Sequence, residues 1–77
     1  MANDFVKDFG LRVREVREAS GLSQEALAFK AKMHRTAISF IERAQRSATL
    51  ETVEKLSRAL NVEPGELMPP LRRRTVR

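Results

Sequence analysis

The sequence predicts an all-α fold of five short helices. Apolar residues recur three and four positions apart along most of the 77 residues, which is the spacing of one side of a helix. No clear stretch alternates apolar and polar residues as a half-buried strand would, and no hairpin turn signal is evident. Residues that begin or end helices separate the apolar segments. These observations together indicate several helices packed around one core.

The first helix is predicted from an apolar stripe near the N-terminus. Phe5, Phe9, Val13 and Val16 recur at helical spacing, and charged residues fall off the stripe. Gly21 follows, and glycine readily takes the left-handed conformation that ends helices. We therefore expect the helix to end next to this glycine.

A second helix is predicted to begin at Ser23, whose hydroxyl can accept a hydrogen bond from a first-turn amide. The segment QEALAFKA then continues for about two turns. Glu25 lies in its first turn and Lys30 lies towards its end, so both charges suit the helix dipole. The three residues KMH separate this helix from the next one.

The third helix is predicted from about Arg35 to Arg43, with Ala37, Ile38 and Ile41 on its buried side. Two short helices joined by about three residues form a helix-turn-helix arrangement, which here spans about residues 23–43. The second helix of such a pair fits the DNA major groove, with its N-terminal residues towards the base edges. The first helix of the pair can place its N-terminus against a phosphate.

Two further helices complete the predicted domain. Thr49 is expected to cap the fourth helix. Its apolar residues at helical spacing are Leu50, Val53, Leu56 and Leu60. Pro64 suits the first position of a short fifth helix, and the Pro-Pro pair at 69–70 ends the fold. The chain is thus divided into a domain at residues 1–71 and a basic tail, expected to be mobile, at residues 72–77.

Composition excludes several classes of protein. The chain has room for one small domain, and with no cysteine and a single histidine, His34, it predicts neither disulfides nor a zinc site. No apolar run approaches the roughly 18 residues of a membrane span, and the N-terminal segment does not resemble a signal peptide. No acid–base or nucleophile–base pair is evident. We therefore expect a cytoplasmic protein that is not an enzyme and needs no membrane, metal, cofactor or small-molecule ligand.

Positive charge is concentrated in two zones of the chain. Residues 30–46 carry five basic residues and one acidic residue, and residues 72–77 add four arginines. The remaining segments are slightly acidic, although the whole chain has a net charge of +5. Two compact basic zones favour a polyanionic partner, most simply double-stranded DNA. The alternative is an ordinary solvated charged surface.

Several short motifs occur in a specific order. They are Arg17, GLSQE at 21–25, Leu27-Ala28, the IS-x-IER pattern at 38–43, LET at 50–52 and the L-x-x-AL pattern at 56–60. In this order the motifs resemble the Cro/Xre-type helix-turn-helix family, which includes lambdoid phage repressors. The resemblance covers about residues 9–68. The segments HRTAIS and IERAQRSATL are most similar to the small controller proteins of restriction–modification systems.

The resemblance implies a five-helix, lambda-repressor-like domain that binds DNA sequence-specifically, as a homodimer on a partly palindromic operator. It implies base contacts from the outward positions of the third helix, which are Arg35, Thr36, Ser39 and Phe40. It implies phosphate contacts from the second helix and from the loop beyond the third, which are Gln24, Arg43, Gln45, Arg46 and Ser47.

Each base contact has an alternative role. Arg35 suits bidentate binding of guanine but could bind phosphate, and Thr36 could contact a base or support the helix start. Ser39 could be only a helix surface residue. Phe40 could contact thymine methyl groups, a neighbouring residue or a dimer partner.

The dimer interface is predicted in the C-terminal part of the domain. Its candidate residues are Leu60, Val62, Leu67 and Met68, which are more apolar than so small a core needs. The alternative is that they only cover the first and fourth helices. Glu25 matches a family position that contacts RNA polymerase in activators, whereas Phe29 stands where a second acid would help.

Three residues depart from the family pattern at the ends of the predicted helices. Lys32 and Ala44 stand where glycine is usual, so Lys32 must take a positive φ or change the turn. His34 occupies the cap position of the third helix. Glu42 is expected to pair with Arg17, because both positions match family markers.

The combined prediction is a transcription regulator that binds operator DNA as a homodimer, most similar to the controller proteins. The resemblance to that subgroup implies activation at low concentration and repression of its own promoter at high concentration, and activation is a hypothesis. A phage-type repressor or an antitoxin-like autorepressor is the alternative within DNA binding. A protein-interaction module with the same fold is the alternative outside it. The arginine-rich tail could strengthen non-specific attraction to DNA or be an inert terminus.

Overall fold

Five α-helices account for the regular structure of residues 3–72, the part of the chain that the computed structural model describes. They are α1 (Asp4–Ala19), α2 (Gln24–Ala31), α3 (Arg35–Glu42), α4 (Leu50–Leu60) and α5 (Pro64–Leu67). No strand occurs among these residues. The prediction of an all-α, five-helix fold is confirmed. Among the same residues, no helix combines the length and the apolar character that a membrane crossing needs.

Side-chain caps begin three of the helices. Asn3, Ser23 and Thr49 each accept a hydrogen bond from the backbone amide three residues further on, at 2.9, 3.0 and 3.1 Å. These bonds satisfy amides that have no partner within the helix. Replacing such a cap typically costs about 1 kcal/mol. The predicted caps at Ser23 and Thr49 are therefore confirmed.

Left-handed residues lie on both sides of α3. Lys32 ends α2 with φ 56°, and Ala44 follows α3 with φ 59°. A non-glycine residue in this region of φ/ψ space costs on the order of 1 kcal/mol. The positive φ predicted at Lys32 is therefore confirmed, and Ala44 takes the same conformation where glycine is usual in the family.

The core is formed by apolar side chains from all five helices. Its buried members are Phe9, Val13, Leu27, Ala28, Ala31, Ile38, Ile41, Val53, Leu56, Leu60 and Leu67. Residues on the predicted apolar sides of α1, α3 and α4 supply most of this list. The helical periodicity therefore predicted most of the core residues correctly.

Four members of the predicted apolar sides lie outside this core: Val16 is half-buried and packs against it, Ala37 is half-buried, and Phe5 and Leu50 are exposed. Leu50 is 87% exposed and Phe5 is 38% exposed. At 100° per residue, Leu50 points about 90° away from the mean direction of Val53, Leu56 and Leu60. Phe5 lies one turn before Phe9, in the first turn of α1.

α1 crosses the end of α3 at Gly10, which is buried. A Cβ atom at this position would lie 2.9 Å from the carbonyl oxygen of Glu42 and closer still to that of Ile41. Only glycine permits this approach of a helix to backbone oxygens. The crossing therefore fixes the C-terminal end of α3 against α1.

Candidate nucleic-acid interface

A tight turn joins α2 to α3. The amide of Met33 donates to the carbonyl oxygen of Ala28 at 2.9 Å, with Lys32 in the left-handed conformation between them. His34 then begins α3 without a side-chain cap hydrogen bond. The helix, the turn and the second helix have the arrangement that the sequence predicted for residues 23–43.

α3 has a buried side and an exposed side. Ile38 and Ile41 are buried in the core. Arg35 and Thr36, in the first turn, are exposed, while Ser39 and Phe40 are half-buried. The N-terminal turn of α3 therefore presents its side chains to solvent, as contact with base edges requires.

Glu42, on the buried side of α3, is held by two hydrogen-bond donors from α1 and one from α2. Arg17 donates to its two carboxylate oxygens through Nε at 2.7 Å and Nη2 at 3.1 Å. Gln24 donates through Nε2 to Oε1 at 3.0 Å. The hydrogen bond to Glu42 raises the pKa of Arg17 above its ordinary value, although burial opposes the rise. The predicted pairing of Arg17 with Glu42 is confirmed, and this buried network joins α1, α2 and α3.

Gln24, which donates to Glu42 in this network, also lines a shallow depression on the surface. Its lining residues are Arg17, Ser23, Gln24, Glu25 and Arg35. The structure thus brings the N-terminus of α2 next to the first residue of α3. Gln24 gives one amide hydrogen to Glu42, which leaves a second donor for another partner. The hydrogen bond to Glu42 was not predicted from the sequence.

Phe40 at the C-terminal end of α3 forms an arginine–phenylalanine cluster with Arg43, which follows the helix, and with Arg46 in the next loop. The Cζ atoms of Arg43 and Arg46 lie 5.7 and 5.1 Å from the centroid of the Phe40 ring. Arg43 also donates through Nε to the hydroxyl oxygen of Ser39 at 3.1 Å. This cluster was not predicted from the sequence, although the i, i+3 spacing of Phe40 and Arg43 permits such a contact.

The remaining predicted phosphate contacts continue from this cluster. Gln45 and Ser47 are exposed in the loop between α3 and α4, together with Arg46. The amide of Gln45 donates to the carbonyl oxygen of Phe40 at 2.8 Å, which turns the chain back at the left-handed Ala44. The predicted base and phosphate contacts therefore lie on α3, on its following loop and at the start of α2.

Two of the four residues predicted for the dimer interface are buried within the single chain. Leu60 and Leu67 are 6% and 0% exposed within the single chain, where they fill the core between the helices. They have almost no surface left for a second copy. Val62 is half-buried and Met68 is 37% exposed.

An apolar groove of about 210 Å³ lies beside Met68. It is lined by Phe5, Val6, Phe9, Ser47, Ala48, Leu50, Val53 and Met68. Leu50 stands at its edge with most of its side chain in solvent. This groove was not predicted, because helical spacing places Phe5 and Leu50 on the apolar sides of their helices and does not show that they are exposed.

The first residue of the predicted tail is held against α1. Arg72 donates to the two carboxylate oxygens of Asp8 at 3.0 and 2.9 Å, and a nitrogen of its guanidinium lies 3.5 Å from Asp4. The hydrogen bond from Arg72 lowers the pKa of Asp8 below its ordinary value. The other tail arginines, Arg73, Arg74 and Arg77, lie outside the described residues.

Two further features concern partners. Glu25 is exposed in the first turn of α2, and Phe29 on the same helix is 85% exposed.

Within residues 3–72, no group of three or more acidic or histidine side chains is placed to hold a metal ion.

Comparison with known proteins gives a consistent result. A sequence profile described as helix-turn-helix matches residues 13–67. The control protein C.BamHI of Bacillus amyloliquefaciens is 46% identical over 69 residues, which cover 88% of this chain and 85% of that protein.

Solved structures of similar proteins have the same fold. The restriction–modification controller protein C.AhdI from Aeromonas hydrophila superimposes with a TM-score of 0.80 at 46% identity, over 82% of this chain and 96% of that one. The controller protein C.Esp1396I, solved as a tetramer in complex with its natural 35 base-pair operator, gives a TM-score of 0.79 at 29% identity. That match covers 84% of this chain and 86% of the other.

Proposed function

This chain belongs to the Cro/Xre-type helix-turn-helix family, among the controller proteins of restriction–modification systems, and from this premise we propose how it acts. It is a DNA-binding transcription regulator that reads a partly palindromic operator as a homodimer. The observation that carries this function is the exposed first turn of α3, which lies next to the start of α2 in a basic part of the chain. We expect it to act in the cytoplasm, where bacterial DNA lies.

Base reading is assigned to the first two turns of α3. Arg35 is exposed at the helix start and can donate two hydrogen bonds to O6 and N7 of a guanine. Thr36 is exposed beside it and can offer its methyl group to thymine or its hydroxyl to a base edge. Ser39 is half-buried one turn later, where a small side chain allows close approach to the groove. Phe40 is also predicted to contact bases, with contact to a neighbouring residue as one alternative, and the guanidinium carbons of two arginines lie within 6 Å of the centroid of its ring.

Phosphate binding is assigned to both ends of this surface. At one end, Gln24 has an amide hydrogen to spare and lies at the N-terminus of α2, where backbone amides favour an anion. At the other end, the exposed phosphate-binding residues are Arg43, Gln45, Arg46 and Ser47. These contacts supply affinity that falls with salt and fix the register of α3 in the groove.

The homodimer is assigned to the apolar groove, because two of the residues first predicted for the interface are buried. Leu50, Phe5 and Met68 offer exposed apolar surface there, and Val62 is retained as a half-buried candidate. Exposed apolar side chains grouped beside one groove support this assignment. The C.Esp1396I complex is a tetramer on its operator, which supports self-association as the way this family fold occupies DNA.

Dimerisation is tested by sedimentation of the full chain over a range of concentrations. Leu50→Glu should convert the dimer to a monomer, because the charge would be buried in the interface. Phe29→Glu is the matched control, since Phe29 is 85% exposed on α2, away from the groove lining. A Leu50→Glu variant that still dimerises would place the interface elsewhere.

Contact with RNA polymerase is assigned to Glu25, which is exposed in the first turn of α2. With such a contact, the protein activates its promoter at low concentration and represses it once further operator sites are filled. Glu25→Ala should bind DNA normally and lose activation in a promoter–reporter assay. A normal promoter response by this variant would exclude the contact.

DNA reading is tested by fluorescence anisotropy at near-physiological salt. The full chain is titrated into DNA from its own upstream promoter and into a scrambled duplex of equal length. We expect a preference above ~10³-fold for the promoter DNA, with two protomers per site. Arg35→Ala should lose about 1–3 kcal/mol on the promoter and relax the preference at one base pair.

Lys55→Ala is the matched control for Arg35→Ala, because Lys55 is exposed on α4, outside the predicted DNA-binding surface. It should leave the preference unchanged. Equal binding of wild-type protein to both duplexes would mean that this promoter does not contain the operator. No binding to either duplex would contradict DNA reading altogether.

A further inference from the structure

Phe40 makes contacts that a base-reading role does not use. Its ring is half-buried at the C-terminal end of α3, and two exposed arginines lie on it. Both guanidinium carbons are less than 6 Å from the ring centroid. Within this distance the negative face of an aromatic ring attracts a cation. The ring therefore attracts two guanidinium groups and partly offsets the repulsion between their positive charges.

We propose that Phe40 is a positioning residue: it holds Arg43 and Arg46 together so that both guanidinium groups meet DNA phosphates already ordered, and it does not read a base. This inference rests on the proposed DNA-binding function and assigns one residue of that surface a different role. The ligand of the arginine–phenylalanine cluster is the phosphate backbone of duplex DNA.

Side-chain entropy explains why such positioning strengthens binding. A long exposed arginine loses rotamer freedom when it is fixed on a ligand. A contact that restricts the side chain before binding reduces this loss, which is the general advantage of preorganisation. The guanidinium keeps its donors at its edge while one face lies on the ring, so stacking and phosphate binding are compatible.

The two arginines depend on the ring to different extents. Arg43 has a second restraint, because its Nε donates to the hydroxyl of Ser39 at 3.1 Å. Arg46 comes from the loop beyond α3 and reaches back to the same ring, with the shorter distance of the two. Loss of the ring should therefore release Arg46 more than Arg43.

The first test is a coupling experiment on DNA binding by the full chain. Phe40→Leu keeps apolar volume and removes the aromatic face, whereas Phe40→Tyr keeps the face. Phe40→Leu should weaken binding to the promoter and scrambled duplexes by the same factor, about 2- to 5-fold, and Phe40→Tyr should retain wild-type affinity for the scrambled duplex. In the Arg43→Gln/Arg46→Gln background, Phe40→Leu should have no further effect.

The second test needs no DNA. Ring currents should shift the Hδ protons of Arg43 and Arg46 upfield in the NMR spectrum of the wild-type protein, and Phe40→Leu should abolish both shifts. Arg58 serves as the control, because it is exposed on α4 and is paired with Glu54. Its shifts should be the same in both proteins, and thermal unfolding checks that the variant is folded.

Three results would each overturn the inference. A change in promoter preference on Phe40→Leu would mean that the ring reads a base. An equal effect of Phe40→Leu with and without the two arginines would mean that they are not coupled. Unshifted Hδ protons in the wild-type protein would mean that the cluster does not persist in solution. Since the scrambled duplex alone decides the coupling, a missing promoter preference counts against the proposed function and not against this inference.

Discussion

Two arginine–carboxylate pairs in this protein have similar geometry and very different surroundings. Arg17 donates to both oxygens of Glu42 at 2.7 and 3.1 Å, and Arg72 donates to both oxygens of Asp8 at 3.0 and 2.9 Å. The Glu42 side chain is 2% exposed and that of Arg17 is 10% exposed. The side chains of Arg72 and Asp8 are 60% and 23% exposed.

The difference shows that surroundings, and not bond lengths, decide what an ion pair contributes. Water and salt replace a lost partner at an exposed site, so the exposed pair is expected to matter little. At the buried site nothing replaces the partner, because the remaining charge stays in the core without compensation. Arg17 of α1 and Gln24 of α2 both donate to Glu42 of α3. Loss of the buried pair is therefore expected to change the position of α3, which carries the proposed base contacts.

The largest expected effect comes from removing one partner of the buried pair. Arg17→Met leaves Glu42 buried without its two arginine hydrogen bonds, and should lower the free energy of unfolding by about 3–5 kcal/mol. Urea denaturation followed by circular dichroism measures this loss. The double variant Arg17→Met/Glu42→Leu should recover much of it, because no uncompensated charge remains. A loss in Arg17→Met below 1 kcal/mol would contradict this account of the buried pair.

The next largest effect comes from the close helix crossing that supports the buried pair. Gly10→Ala would place a methyl group 2.9 Å from the carbonyl oxygen of Glu42 and force α1 away from α3. We expect a loss of about 1–3 kcal/mol in the free energy of unfolding, measured in the same denaturation experiment. Gly65→Ala is the matched control, since a Cβ there meets nothing within 4 Å and alanine favours a helix. Equal free energies of unfolding for the two variants would contradict the close approach of α1 to the backbone of α3 at Gly10.

A smaller effect is expected where the buried pair meets the surface. Gln24→Ala removes the hydrogen bond to Glu42 Oε1 and should cost about 1 kcal/mol, because the site is half-buried and water can replace part of the bond. Gln45→Ala, at an exposed position in the loop after α3, should change stability by less than about 0.5 kcal/mol. If the two variants had the same free energy of unfolding, the hydrogen bond from Gln24 to Glu42 would not contribute to stability.

The smallest effect is expected from the exposed pair, and it depends on pH. The pKa of Asp8 is lowered by its hydrogen bond from Arg72, so the pair stabilises the fold above the ordinary pKa of aspartate. This contribution is lost as the pH falls through the lowered pKa. Asp8→Asn should therefore lower the melting temperature slightly at pH 7, and the difference should disappear once the pH is below the lowered pKa of Asp8. A difference that persists at low pH, or in 1 M salt, would mean that the pair does not act electrostatically.

Local features of the fold were predictable from the sequence. The helices, the caps at Ser23 and Thr49, and the left-handed Lys32 depend on residues within one turn of each other, so local sequence is enough to identify them. The pairing of Arg17 with Glu42 spans 25 positions and came from the family resemblance. Periodicity alone would not have paired them.

Helical spacing predicted less well which apolar residues are buried and which are exposed. Leu50 and Leu60 belong to the same apolar repeat, but one is 87% exposed and the other is 6% exposed. Helical spacing tells which residues share a side of a helix, and it does not tell how far the neighbouring helices cover that side. Leu60 and Leu67, two residues of the predicted dimer interface, are therefore already buried within the single chain, and the interface itself stays a prediction.

The sequence by itself determined the five helices, their order, the basic middle segment and the residues that lie outward on α3, because periodicity, capping and charge are local properties. Only the tertiary structure decided the hydrogen bond from Gln24 to Glu42, the stacking of Arg43 and Arg46 on Phe40, and the groove at Leu50. These contacts depend on how helices cross and how a loop returns, and both are set by the packing of the whole core.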